Sequence, residues 1–152
     1  MNRCKTPLRY PGGKSKATKK LFANFPDLSA YDEYREPFLG GGSVAIAVTK
    51  AHPDMHVWVN DLYWNLYNFW IHLRDDGEHL SESLRESKIK HNEPVSCRIL
   101  FDTSIEILSN SSENDFEKAK AFWIVNKCSF SGMTESSTFS VGPSDSNFSL
   151  RG

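Results

Sequence analysis

The spacing of apolar positions changes along the chain, and each change marks an element. After Pro7 and the turn Pro11-Gly12-Gly13, the apolar residues Ala17, Leu21 and Phe25 recur every four residues, which predicts a short amphipathic helix ended by Pro26. Tyr31 to Phe38 reads as a short strand with Glu36-Pro37 at its end. The glycine run Leu39-Gly40-Gly41-Gly42-Ser43 breaks it, and Val44 to Val48 continues as a helix. His56 to Asn60 is a second strand by its β-branched and aromatic content, with Asp61 at its carboxyl end, so residues 31–61 predict a βαβ unit. Leu62, Leu66, Phe69, Trp70 and Leu73 then fall at helical spacing until Asp75-Asp76-Gly77. Glu78 to Lys120 predicts a charged helical insertion, interrupted at Asn92-Glu93-Pro94 and at Ser109 to Asp115. Phe122 to Val125 is apolar and β-branched. Cys128 to Gly152, dominated by Ser, Thr, Gly and Phe with little periodicity, predicts an extended or hairpin-like surface segment.

Composition narrows the class. At 152 residues the chain is one domain, or one with a small insertion. Ten Phe, five Tyr and four Trp supply a core, although the mean hydropathy of -0.49 is polar. No window approaches the run of about 18 apolar residues that a membrane helix needs, and the N-terminus has no apolar signal core. A cytoplasmic protein with no membrane partner is expected. The three cysteines, Cys4, Cys97 and Cys128, include no CxxC pair, which argues against a disulfide framework and a zinc site and for reduced thiols.

The net charge of -1 makes no case for a polyanion partner, but its distribution does. Residues 1–20 carry seven basic side chains (Arg3, Lys5, Arg9, Lys14, Lys16, Lys19 and Lys20) and no acidic one, while most acids collect between Asp27 and Glu117. An anionic partner at the N-terminal end would suit this asymmetry; a solvated basic helix face would produce it as well.

The glycine turn at Gly40, Gly41 and Gly42 lies between a predicted strand and helix, where a backbone without Cβ atoms can approach a ligand and helix N–H groups face outward. Asp61 follows Gly42 by 19 residues at the end of the second strand, where an acid hydrogen-bonds a ribose hydroxyl in doubly wound folds. Either feature alone is often only a tight turn or a helix cap. Together in a βαβ unit they favour a nucleoside ligand. Pro11-Gly12-Gly13-Lys14-Ser15 is not a phosphate-cradling P-loop, because Leu8 stands where that loop requires glycine. Tyr10 and Lys14 flank this turn, so a ring and an ammonium group can face one ligand. The five histidines show no metal-binding spacing on one helix face, no GxSxG elbow is present, and neither metal chemistry nor a catalytic triad is expected.

The segments PLRYPGGKSK, YREPFLGGGSV and VNDLYWNLYNFW resemble, in the same order, the opening motifs of the Dam-type (D12 class) adenine-specific DNA methyltransferases. The resemblance implies an α/β, partial Rossmann-like S-adenosylmethionine-dependent methyltransferase fold with a helical DNA-recognition insertion. It implies a cofactor-binding part at residues 1–75, and at 76–152 the insertion and a DNA-facing hairpin. S-adenosyl-L-methionine would be bound by Tyr10, Lys14, Phe38, Gly40 and Asp61, with no metal. FWIVNKCSFSGMTESSTFSVG resembles the family's hairpin that approaches double-stranded DNA, with Phe130, Ser131, Gly132 and Met133 at its motif and Phe130, Ser131, Met133 and Lys127 as DNA-binding residues. In a chain that only binds DNA, Lys16 and Lys127 would meet phosphates.

Two departures stand out. Glu135 occupies a position where the family often uses a basic residue to read a base, so no recognition sequence carries over. The family's catalytic Asp-Pro-Pro-Tyr is absent, since no two of the seven prolines are adjacent. Those groups hold the exocyclic amine of a flipped adenine and stack its ring; a misplacement of about 1 Å costs on the order of a hundredfold in rate. The expectation is a truncated or split chain, inactive alone and completed by a second chain, with an unpaired sheet edge beside the glycine turn. The alternative is a non-catalytic DNA-binding or regulatory remnant, in which Phe130 wedges between bases. For Phe130 itself, an ordinary core position is the competing expectation.

Overall fold

Strands β1 (Glu33–Glu36) and β2 (His56–Val59) share one alternation, exposed then half-buried, and pair in parallel with Glu33 opposite His56 and Glu36 opposite Val59. The connection is α2 (Ser43–Ala51), which packs on both strands and buries Val44, Ala45, Ala47 and Val48. The exposed strand positions carry an ion cluster: Glu33 meets both the Arg35 guanidinium and, at 2.8 Å, His56 Nδ1. This computed structural model describes residues 5–135 and 137–150. The βαβ unit expected from the sequence is therefore present, and among the described residues the sheet has these two strands.

Before β1, α1 (Thr18–Phe22) is shorter than the spacing of Ala17, Leu21 and Phe25 predicts. Just beyond it the Asn24 and Phe25 amides bond three residues back to Leu21 and Phe22, a tighter turn ahead of Pro26. The Phe22 and Phe25 rings stack there at 5.4 Å between centroids.

A second compact unit begins at Tyr63. It is helical: α3 (Trp64–Asp75), α4 (Gly77–Lys90), α5 (Pro94–Ser109), α6 (Asp115–Cys128) and α7 (Val141–Ser146). The predicted breaks are the observed ones, and each carries its own cap. Pro94 opens α5, where Ser96 Oγ receives the Glu93 N–H, and Asn114 accepts the Glu117 N–H at 2.8 Å to cap α6. Helix α6 is the core of the unit, packed by α3, α4, α5 and α7. Phe69 and Tyr63 meet the buried Phe122 ring at 5.7 and 5.9 Å between centroids, and the Asn68 amide donates to the Asp115 carbonyl at 2.6 Å. The apolar run Phe122–Val125 lies inside α6; partners on several sides bury it in full, which erases the helical periodicity.

The serine-rich end departs from the expected surface segment. Ser129 and Phe139 do pair in an antiparallel bridge, which brings the chain back on itself as in a hairpin. Beyond it α7 forms, and Phe148 is buried edge-on against Trp123, 5.8 Å between centroids. Apolar anchors override the weak local preference: Phe139 meets Phe101 and Phe148 meets Trp123, so the chain folds back onto the helices instead of lying on the surface. The compact units divide after Leu62, so α3, which the functional division at residue 75 keeps with the cofactor half, packs within the second unit. Among the described residues no helix is long and apolar enough to cross a membrane.

Candidate functional site

The first unit brings Tyr10, Gly40 and Asp61 of the expected cofactor site together at the carboxyl ends of β1 and β2. The strand ladder runs on past both strands: the Asn60 N–H donates to the Glu36 carbonyl at 3.0 Å, and the Leu39 N–H to the Asn60 carbonyl at 2.8 Å. One residue further, the Gly40 N–H donates to the Asp61 carboxylate at 2.8 Å. The turn then closes with the Gly42 N–H on the Leu39 carbonyl at 2.9 Å, and α2 begins. Gly40 at φ +51 and Gly42 at φ +69 adopt the left-handed backbone that this turn requires and that side chains disfavour.

Tyr10 lies against the same turn. A Cβ on Gly40 would stand 2.9 Å from Tyr10 Cε1, and one on Gly41 2.7 Å from Tyr10 Cβ, so the contact exists because both residues are glycine. Tyr10 itself opens a tight turn, with Pro11 second, Gly12 third at φ +73 and the Gly13 N–H returning to the Tyr10 carbonyl at 2.9 Å. Lys14 Nζ donates to the Gly12 carbonyl at 2.7 Å, and the hydroxyls of Ser15 and Ser43 meet at 2.9 Å, joining this loop to the first turn of α2. Phe38 is 81% exposed on the approach to the glycines.

Glu36 is a neighbour to which the sequence reading gave no role. Burial pushes its carboxyl above the ordinary carboxylate value, partly offset by a hydrogen bond from the Ala45 amide and by the Tyr34 hydroxyl, which donates at 3.4 Å. Burial also pushes the Tyr34 phenol up to about 12, with the Glu36 charge adding to the effect. The signal in the sequence was a carboxylate at a half-buried strand position next to the glycine turn.

The second unit carries the residues expected to face DNA. Phe130 is 66% exposed and Met133 39%, with Ser131 exposed between them, so the core position for Phe130 is not the one it occupies. Ser131 at φ +55 and Gly132 at φ +74 are both left-handed, the signature of a type I′ turn, and the Met133 N–H closes it on the Phe130 carbonyl at 3.3 Å. Lys127 sets its ammonium 4.9 Å from the Trp123 ring centroid. Glu135 and Lys16 are exposed. Among the described residues no group of His, Cys, Asp and Glu could hold a metal ion.

Comparison with protein families decides what these features belong to. Residues 10–140 match the family model of the D12 class N6 adenine-specific DNA methyltransferases. The chain belongs to this family. A search of curated proteins finds no match. Members of the D12 class methylate adenine N6 in DNA, so the chain is related to transferases whose substrate is DNA. Both the Tyr10–glycine contact and the Phe130–Met133 turn lie within the matched residues.

Proposed function

We propose that this D12-class chain binds S-adenosyl-L-methionine in its first unit and double-stranded DNA through the hairpin of its second. In this reading the βαβ unit opens a Rossmann-like methyltransferase sheet. The Gly40–Asp61 hydrogen bond, with Tyr10 against the same glycines, is the observation that carries it. The residues present fit the cofactor: a glycine turn whose lack of Cβ atoms lets Tyr10 lie directly on it, a carboxylate at the end of β2 for ribose hydroxyls, and a ring and an ammonium group for the rest. Asp61 orients the ribose and holds the turn, Gly40 admits the ligand to the backbone, and Tyr10 and Phe38 present rings. Lys14 supplies positive charge for a carboxylate. The bound cofactor supplies an electrophilic methyl group.

On the DNA side Phe130 and Met133 offer apolar surface to bases, Ser131 a hydroxyl, and Lys127 a charge for phosphate. The acceptor groups that would hold adenine N6 are absent from these 152 residues, so methyl transfer by them alone is expected to be negligible. Those groups would come from sequence outside this span, in the same or a second chain. Titration calorimetry of S-adenosylmethionine into the protein tests the reading: saturable binding lost in Asp61→Ala supports it. No binding by a chain that circular dichroism shows to be folded would overturn the cofactor assignment and leave a DNA-binding remnant.

A further inference from the structure

The hairpin at residues 129–139 rests on a side chain that never reaches its surface. Asn126, near the end of α6, is fully buried, and its Nδ2 donates to the Gly132 carbonyl at 2.8 Å. That carbonyl ends the turn in which Ser131 and Gly132 are both left-handed. Serine disfavours this backbone, so the turn persists only where its surroundings hold it. The limbs are tied by the Phe130 N–H on the Thr138 carbonyl at 3.0 Å and the Ser140 N–H on the Cys128 carbonyl at 2.9 Å. At the tip, beside the turn's own Met133–Phe130 bond, Asn126 reaches from the core to the Gly132 carbonyl. Phe130 and Met133 flank the turn and stay exposed although both are apolar. A backbone free to relax would let them turn inward.

We infer that Asn126 is a positioning residue for DNA engagement: its buried amide locks the Ser131-Gly132 turn and so holds Phe130 and Met133 outward. The inference rests on the reading that this hairpin faces DNA. A neutral amide suits the task, because it satisfies a buried carbonyl without placing a charge in the core.

The test uses the full chain and a labelled duplex with 2-aminopurine in place of adenine. Phe130→Ala, Asn126→Ala and the double variant are compared for affinity and for 2-aminopurine fluorescence. Phe130→Ala is expected to weaken binding several-fold, Asn126→Ala by a similar factor, and the pair by clearly less than the product of the two losses, because only the Met133 share is added. In parallel, chymotrypsin is expected to cleave after Phe130 faster in Asn126→Ala than in wild type. Gly132→Ala, which strains the turn at φ +74 while leaving Asn126 in place, should reproduce both effects and serves if Asn126→Ala does not fold. Losses that multiply in the double variant, or unchanged cleavage in both turn variants, would overturn the role of Asn126. Wild-type protein that does not bind the duplex, or binds it equally well without Phe130, would overturn the DNA-facing reading, whatever the cleavage pattern shows, and the positioning role with it.

Discussion

Asp61 and Gly40, separated by 21 residues, are joined by a carboxylate that accepts a backbone N–H at 2.8 Å, so the side chain that shapes the glycine turn is also the one proposed to meet the cofactor's ribose. A hydrogen bond to a charged group contributes about 1.5–3 kcal/mol. Asp61→Ala is therefore expected to lower stability by about that amount. It should also weaken S-adenosylmethionine binding by about tenfold or more, since 1.4 kcal/mol is a factor of ten. Asp61→Asn keeps an acceptor and should retain the turn better than the ribose contact. Thermal melting read beside calorimetry separates the two losses.

Gly41→Ala isolates the Tyr10 contact, because Gly41 has no positive φ and the added Cβ meets Tyr10 Cβ at 2.7 Å. Tyr10 must move, at a cost of about 1–3 kcal/mol as for other overpacked sites. The expected outcome is a lower melting temperature and weaker cofactor binding. A variant that melts and binds as wild type would separate Tyr10 from the site.

Tyr34 and Glu36 set opposite ends of a pH profile. The Glu36 carboxyl is held above its ordinary value of 4.5 by burial, so the folded protein keeps a proton that the unfolded chain releases. This contribution is present below 4.5 and is lost as pH rises through the raised value. Glu36→Gln is thus expected to be more stable than wild type at neutral pH, with the gap closing in acid. For Tyr34 the same sign places the loss between the ordinary 10.0 and about 12, and Tyr34→Phe should lack that alkaline step. Denaturant melts across pH, with phenolate absorbance for Tyr34, measure both.

Phe122→Ala removes a ring buried between Phe69 and Tyr63. Truncations of this kind cost about 3–5 kcal/mol. Guanidinium melts followed by helical circular dichroism should show the loss in the second unit, where the ring lies. A loss much smaller than this would mean that α3 and α6 close over the cavity.

The βαβ unit was legible because strand, glycine turn and strand each have a local signature, and the breaks at Asn92-Glu93-Pro94 and before Asp115 were legible because caps are local too. Phe122–Val125 gave no element, since burial on several sides of α6 removes the very periodicity that identifies a helix. Helix α7 was hidden because Phe139 and Phe148 fold the tail onto partners distant in sequence. At the site, Tyr10 and Lys14 were legible as a motif, but the fit of Tyr10 onto Gly40 and Gly41 joins positions some thirty apart. Asn126 and Glu36 escaped notice for the same reason: their significance lies in which backbone group each one meets.

The parallel pairing of β1 with β2 also bears on how the chain comes to fold. Its partners lie 23 residues apart, and the Tyr10, Gly40 and Asp61 contacts all close within the first 62 residues. A ribosome adding about 5–20 residues per second needs several more seconds to reach the Phe130 turn. During that interval a nascent chain already contains every partner of the glycine turn described above. Vectorial synthesis thus puts every partner of the glycine turn on the chain before the Phe130 turn has been made.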